Sequence, residues 1–321
     1  MMQSLAPDVL RPLQFLINPG ERVYWLYLFT TLLIALLVFV FRSPPGKTGL
    51  VEFLFPKSMW KHESTLADHL YFLINAMLYR ALVIPFALSI ATASSLFEGL
   101  FQASPLALHL VPAGWPSIAL LTLIVFITAD FGYFFGHWLL HKIPLLWEFH
   151  KTHHSAETLT PITVYRMHPV DDIVVGSSVS FCYGAGWGIA TALVAPGTTS
   201  ATVWGLNAGL FLFYLLGYNL RHTHIWVSYG PAVERFLQSP AQHQIHHSAD
   251  QRHYDKNMGF ALSIWDGLFG TLYTTKTKPE ALRFGLIGDE AKAYSGVIRL
   301  YVLPFIKAAR LLRSRLLEKT A

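Results

Sequence analysis

Uncharged apolar runs, each about as long as a helix needs to be to cross hydrocarbon, alternate along the chain with polar connections, and they predict helices rather than strands. The first run is Trp25–Phe41, extended by Val23 and Tyr24, and the second is Leu70–Ala93, interrupted only by Arg80. Ser94–Trp115 follows as a loop with no Lys or Arg, and Ile118–Leu140 forms a third run with Asp130 inside it. Ile173–Ala195 and Val203–Tyr218 are the fourth and fifth, joined by the short turn Ala195–Ser200 into an antiparallel hairpin that either spans or dips in as a re-entrant pair. A charge facing lipid at mid-bilayer is expensive, so Arg80 is expected to face protein, water or a headgroup, and the intramembrane carboxylate Asp130 takes a functional role by default. Gly184, Gly186, Gly188 and the Gly205–Gly209 stretch permit close helix approach.

Basic residues orient these runs. The connection from Arg42 to His69 carries four Lys/Arg, that from Lys142 to Asp172 three, and everything after the fifth run fourteen, whereas 94–117 and 195–200 carry none. Basic connections collect on the cytoplasmic side, which gives five spans with an outside N-terminus. The pattern thus predicts an all-α integral membrane protein, multi-pass, with about four to five transmembrane or re-entrant helices and a cytoplasmic histidine-rich catalytic cap. Its parts are N-terminal spans over 1–115, a catalytic core over 116–275 and a basic amphipathic extension over 276–321, in one continuous membrane domain. Met1–Glu21 lacks the pattern of a cleavable leader, so the first run is expected to stay in the protein. Val297–Lys319 reads equally as a helix lying in the membrane interface and as a surface helix packed on the core.

Composition agrees: 53% of the 321 residues are hydrophobic and 13% charged. The net charge of +5 sits between and after the apolar runs, which suits anionic headgroups and implies no nucleic-acid partner. Cys182 stands alone, which rules out a thiolate metal cluster within one chain.

Fifteen histidines carry the chemistry. His137 and His141 are four residues apart, so both imidazoles share one helix face at the end of the third run. His150, His153 and His154 form one HxxHH triplet, and His243, His246 and His247 form another. In a helical triplet all three rings point into one sector, and the adjacent pair can divide between two neighbouring ions. Eight imidazoles exceed the needs of one ion, so two metals are expected. A neutral all-nitrogen set favours iron, with zinc the competitor or a substituted metal, over magnesium or calcium. His222 and His224, in NLRHTH, arrive at the same membrane face and are further candidate ligands. Asp130, His168, Asp171 or Asp172, His253, Asn257 and Asp266 are candidates for supporting the ligands by hydrogen bonds. Phe131, Tyr133, Phe134, Trp187 and Phe213 are candidates for a lipid passage, with helix packing the commoner role for each.

The pattern His137-x-x-x-His141, His150-x-x-His153-His154 and His243-x-x-His246-His247 resembles the fatty acid hydroxylase and sterol desaturase superfamily of membrane histidine-motif di-iron oxidases. The resemblance extends through RMHPVD around His168 and NMGFALSIWDGLFGTLY over Asn257–Tyr273, about residues 115–275 in all. It implies two irons, dioxygen as cosubstrate, a membrane lipid such as a sterol or fatty acyl chain as substrate, and hydroxylation or desaturation at an unactivated carbon. Electrons would come from a separate reductase or carrier protein, since the chain has no cytochrome or ferredoxin-like segment. Three other classes compete: a bis-histidine haem electron carrier, a zinc-dependent membrane hydrolase, against which the lack of HExxH counts, and a metal transporter, whose ligands would lie near mid-bilayer.

Overall fold

The computed structural model describes residues 11–42, 49–276 and 278–318 and is mostly helical. Its main helices are α1 (Arg11–Ile17), α2 (Trp25–Arg42), α3 (Glu63–Leu82), α4 (Ile90–Gln102), α5 (Trp115–Lys142), α6 (Pro144–His154), α7 (Pro169–Leu193), α8 (Ala208–Leu215), α9 (Pro240–His246), α10 (Ile264–Phe269) and α11 (Val297–Glu318). Among the described residues, α5 and α7 are long and apolar enough to cross a bilayer, and α2 contains a shorter apolar stretch. These features agree with an all-α membrane protein. The reading of Met1–Glu21 falls partly on residues 1–10, and Lys47 and Lys319 also lie outside the described residues.

The bundle is organised by glycine. α7 lies between α4 and α5 and packs most extensively on both. A Cβ at Gly184 would come within 2.6 Å of the Ala93 carbonyl carbon, and one at Gly188 within 2.7 Å of the Phe97 carbonyl oxygen, so this face of α7 touches the α4 backbone. Gly186 faces the other way, against Thr128 of α5, while Gly132 and Gly136 of α5 receive the α7 backbone at Val179 and Val175. Close approach of this kind replaces the hydrophobic driving force that helices lack in lipid.

Three expectations are corrected. Leu70–Ala93 is not one helix: α3 stops at Leu82, and α4 begins at Ile90 behind a Ser89 cap whose hydroxyl accepts from the Thr92 N–H at 3.0 Å. Pro85 sits in the turn between them, where an absent N–H costs nothing. The expected loop from Ser94 is helical through Gln102. Val203–Tyr218 opens with a small antiparallel pair, Thr202–Val203 with Leu206–Asn207, and leaves only eight residues for α8, too few to span.

α11 packs its N-terminal half on the core. Leu300, Pro304 and Ala308 are buried, the Thr152 hydroxyl donates to the Leu300 carbonyl at 3.1 Å, and Tyr301 stacks on Tyr71 at 4.4 Å. Its opposite face leaves Ile298, Val302, Leu312, Leu316 and Leu317 exposed.

Candidate metal centre

The end of α5, the whole of α6, the turn Tyr218–His222 and α9 converge on one buried volume. Pro144 opens α6 directly after α5, with its fixed φ and missing N–H at a position that needs neither changed, so the first histidine pair and the first triplet sit on helices joined at a corner. Ser239 and Gln242 form a reciprocal capping box that starts α9 and sets the phase of the second triplet.

The histidines sort into two groups. His137, His141, His150, His154 and His246 each bring one nitrogen into a set lying within 4.8 Å of one another, and His153, His222, His243 and His247 form a second such set. Each adjacent pair is divided: His153 from His154, and His246 from His247. The structure therefore brings together nine of the ten expected ligands. His224 is the exception and a correction, for it is exposed and its Nε2 donates to the Phe53 carbonyl at 2.6 Å. The turn that carries His222 ends there, and Thr223 is extended, with φ −147° and ψ 173°, which swings the next side chain away.

The donors suit metal ions. Nε2 atoms of His222, His243 and His247 approach one another at 3.1, 3.1 and 3.2 Å, and those of His137 and His150 at 3.1 Å. Two metal–nitrogen bonds of about 2.0–2.1 Å at a right angle would set their nitrogens about 3 Å apart. Among the described residues Nε2 of His141, His154 and His246 is buried with no hydrogen-bond partner, an arrangement that is costly without a ligand to accept the lone pair.

Burial, first, and then the neighbouring histidines push His150, His154, His243, His246 and His247 well below the ordinary imidazole range, and burial takes His153 down to about 3. The rings are thus held neutral, the form that binds metal.

Hydrogen bonds aim the rings. Nδ1 of His137 donates to the Met258 carbonyl and Nδ1 of His246 to the Lys256 carbonyl, both at 2.8 Å. A carbonyl only accepts, so Nδ1 carries the proton in both rings and Nε2 keeps its lone pair for a metal. Asn257 stands between these two carbonyls at φ +54°, donates to the Gln242 carbonyl at 3.1 Å and accepts from the Tyr273 N–H at 2.8 Å. Asp266 fixes the same loop by accepting from Met258 and Gly259 N–H, each at 2.8 Å, and from the Thr271 hydroxyl. Asp171 lies 3.2 Å from Nδ1 of His150.

Asp171→Asn is expected to weaken metal retention by about 10- to 100-fold, read as metal content after dialysis against graded chelator. Unchanged retention would show that helix packing alone holds His150.

The other supporting candidates lie elsewhere. Asp130 touches no histidine; it accepts from Ala261 and Leu262 N–H and from the Trp265 indole, at 2.8, 3.2 and 2.9 Å, and so ties α5 to the loop behind the centre. His168 caps α7 and contacts the Tyr301 carbonyl. His253 is buried against Tyr273 and Glu280. Asp172 borders a separate polar cavity.

Sequence reasoning missed Arg166. Its guanidinium pairs with the buried Asp68 at 2.8 Å, reaches the Thr152 carbonyl at 3.0 Å and donates to the Ser155 hydroxyl at 2.8 Å, pinning the end of α6. It also missed Trp147, whose ring lies 5.1 Å from His141 and 5.3 Å from His154. Trp147, His141, His154, His246 and His247 line a cavity of about 420 Å³, so histidines of both groups share one opening.

Comparison with known proteins converges on the same segment. The fatty acid hydroxylase family profile matches residues 122–271. Human alkylglycerol monooxygenase is 30% identical over 153 residues, covering 48% of this chain and 31% of that protein. The ornithine lipid hydroxylase OlsE of Rhizobium tropici is 28% identical over 205 residues, 63% of this chain and 55% of its own length. A Delta(7)-sterol 5(6)-desaturase of Gibberella zeae is 24% identical over 156 residues, 47% and 42% of the two chains. The chain thus spans about a third of the length of the alkylglycerol monooxygenases it matches and about half that of the bacterial hydroxylase. No solved structure matches it. Both histidine groups fall inside the segment, residues 122–271, that matches the fatty acid hydroxylase family.

Proposed function

We propose that the protein is a multi-pass membrane enzyme that uses two irons and dioxygen to hydroxylate an unactivated C–H bond of a membrane lipid. The observation that carries this reading is the division of each adjacent histidine pair between two buried groups, five donors in one and four in the other. Two irons held there would supply dioxygen activation and one-electron chemistry. The protein's own share is to hold nine neutral imidazoles, fix the Nδ1 protons of His137 and His246 by hydrogen bonds to the Met258 and Lys256 carbonyls and that of His150 by one to Asp171, and keep bulk water from the reacting carbon.

Hydroxylation is favoured by the names of the relatives with higher identity, a monooxygenase and a hydroxylase. Desaturation is the second reading, supported by the more distant sterol desaturase. The basic connections argue that the centre faces the cytoplasm, with α5 and α7 as spans, α2 and the broken pair α3–α4 as further crossings, and the segment through α8 bringing the chain back to the cytoplasmic side. Electrons would arrive from a separate protein, and the mouth flanked by Trp147, Lys151 and Glu290 is where such a donor comes nearest.

The test is mass spectrometry of membrane lipids with and without the protein, together with oxygen uptake by iron-loaded protein. A mass gain of one oxygen is expected, and a loss of two hydrogens would select desaturation. Full activity after stoichiometric exchange of iron for zinc would overturn the reading.

A further inference from the structure

Two cavities lie on either side of one wall, and neither belongs to the centre described above. The first, about 320 Å³, is polar: Arg11, Glu21, Arg22, Asn75, Tyr165 and Asp172 line it. The second, about 530 Å³, is an apolar groove lined by Leu16, Val23, Leu28, Leu32, Phe72 and Ile162 among others. Phe72 borders both, and consecutive residues serve opposite sides, Phe15 and Arg22 the polar one, Leu16 and Val23 the apolar one. The wall is built largely by residues 11–76, outside the segment matched by the family profile.

The polar cavity carries charges of both signs with an unmet donor. Among the described residues Nη1 of Arg11 is buried without a hydrogen-bond partner, while its guanidinium carbon stands 4.6 Å over the Tyr79 ring. Glu21 accepts from the Tyr165 hydroxyl at 3.5 Å, and that hydroxyl also accepts from the Arg22 N–H at 3.0 Å. The Arg22 guanidinium carbon lies 5.9 Å from the centres of the Tyr133 and Phe260 rings, and Tyr133 in turn lies 5.8 Å from the His137 ring. A buried guanidinium with an unpartnered donor, as at Arg11, is matched by a phosphate or carboxylate, and a neighbouring carboxylate by an ammonium.

We propose that these two cavities form one binding site for a zwitterionic lipid, its charged head group between Arg11, Arg22, Glu21 and Asp172 and one hydrocarbon chain passing over Phe72, which borders both, into the groove beside Leu28 and Ile162. The inference rests on the lipid-oxidation reading and names the class of lipid. The short path from Arg22 through Tyr133 to His137 places the head of that lipid beside the metal centre.

The test uses metal-loaded full-length protein in nanodiscs, kept without oxygen, so that binding is read apart from turnover. The probes are phosphatidylethanolamine as zwitterion, phosphatidylglycerol as anion and a monoalkylglycerol as neutral lipid. The protein is expected to bind phosphatidylethanolamine at least tenfold more tightly than the other two. Arg22→Gln should remove that preference while metal content and monoalkylglycerol binding stay the same. Leu28→Trp should weaken binding of long-chain probes at least tenfold relative to short-chain ones. If Arg22→Gln loses its metal or aggregates, Arg11→Gln and Leu28→Trp carry the decision. Wild-type protein with no zwitterion preference overturns the site, as does wild-type affinity for all probes in both Arg11→Gln and Leu28→Trp. Zwitterion binding without any lipid oxidation in air would instead overturn the proposed activity and leave the site standing.

Discussion

His243→Ala is expected to reduce lipid oxidation to the level of membranes lacking the protein and to lower the iron content from about two per chain to about one. His243 belongs only to the four-membered group, whose Nε2 atoms of His222, His243 and His247 already face one another at 3.1–3.2 Å. Removing one leaves three donors. His154→Ala should produce the same two effects through the other group, and the double variant should hold almost no iron. Metal analysis beside oxygen-coupled product formation checks this. If either single variant kept both irons and full activity, the grouping of the histidines would not describe the working centre.

Gly184→Ala combined with Gly188→Ala should strongly destabilise the folded protein, because each new Cβ meets α4 backbone atoms at 2.6–2.8 Å that cannot rotate away. Overpacking of this kind costs about 1–3 kcal/mol per site against a total stability of roughly 5–15 kcal/mol. Gly176→Ala, on the same helix, meets nothing within 4 Å and should be neutral or stabilising by up to about 1 kcal/mol. The thermal midpoint in detergent, followed as loss of the monodisperse species, should fall for the double variant and stay level or rise for Gly176→Ala. A double alanine variant as stable as wild type would mean that α4 and α7 separate more readily than their contact implies.

Much of the centre was legible in the sequence because it rests on local periodicity. A spacing of four places His137 and His141 on one helix face, and in a helical triplet the adjacent His153 and His154 can divide between two groups, as they do here. The apolar lengths of α5 and α7 were equally plain. What escaped depended on conformations that hydropathy does not register. His222 and His224 stand two apart, and only the extended Thr223 decides that one joins a group while the other turns to Phe53. The break at Val83–Ser89 is set by a proline and a serine cap inside an otherwise apolar run. Asp130 shares the helical phase of His137, so a contact with a ligand was a fair expectation, yet its carboxylate is claimed by three donors around Ala261. The carbonyls of Lys256 and Met258 are invisible to any reading of side chains.

The order of donors along the chain also bears on biosynthesis. A nascent polypeptide that has emerged only as far as residue 221 already contains His137, His141, His150 and His154, four of the five nitrogens of one group, but His153 alone of the other. Vectorial synthesis therefore makes one histidine group nearly whole while the other has hardly begun, and the second becomes complete only after His247 has been translated and folded back.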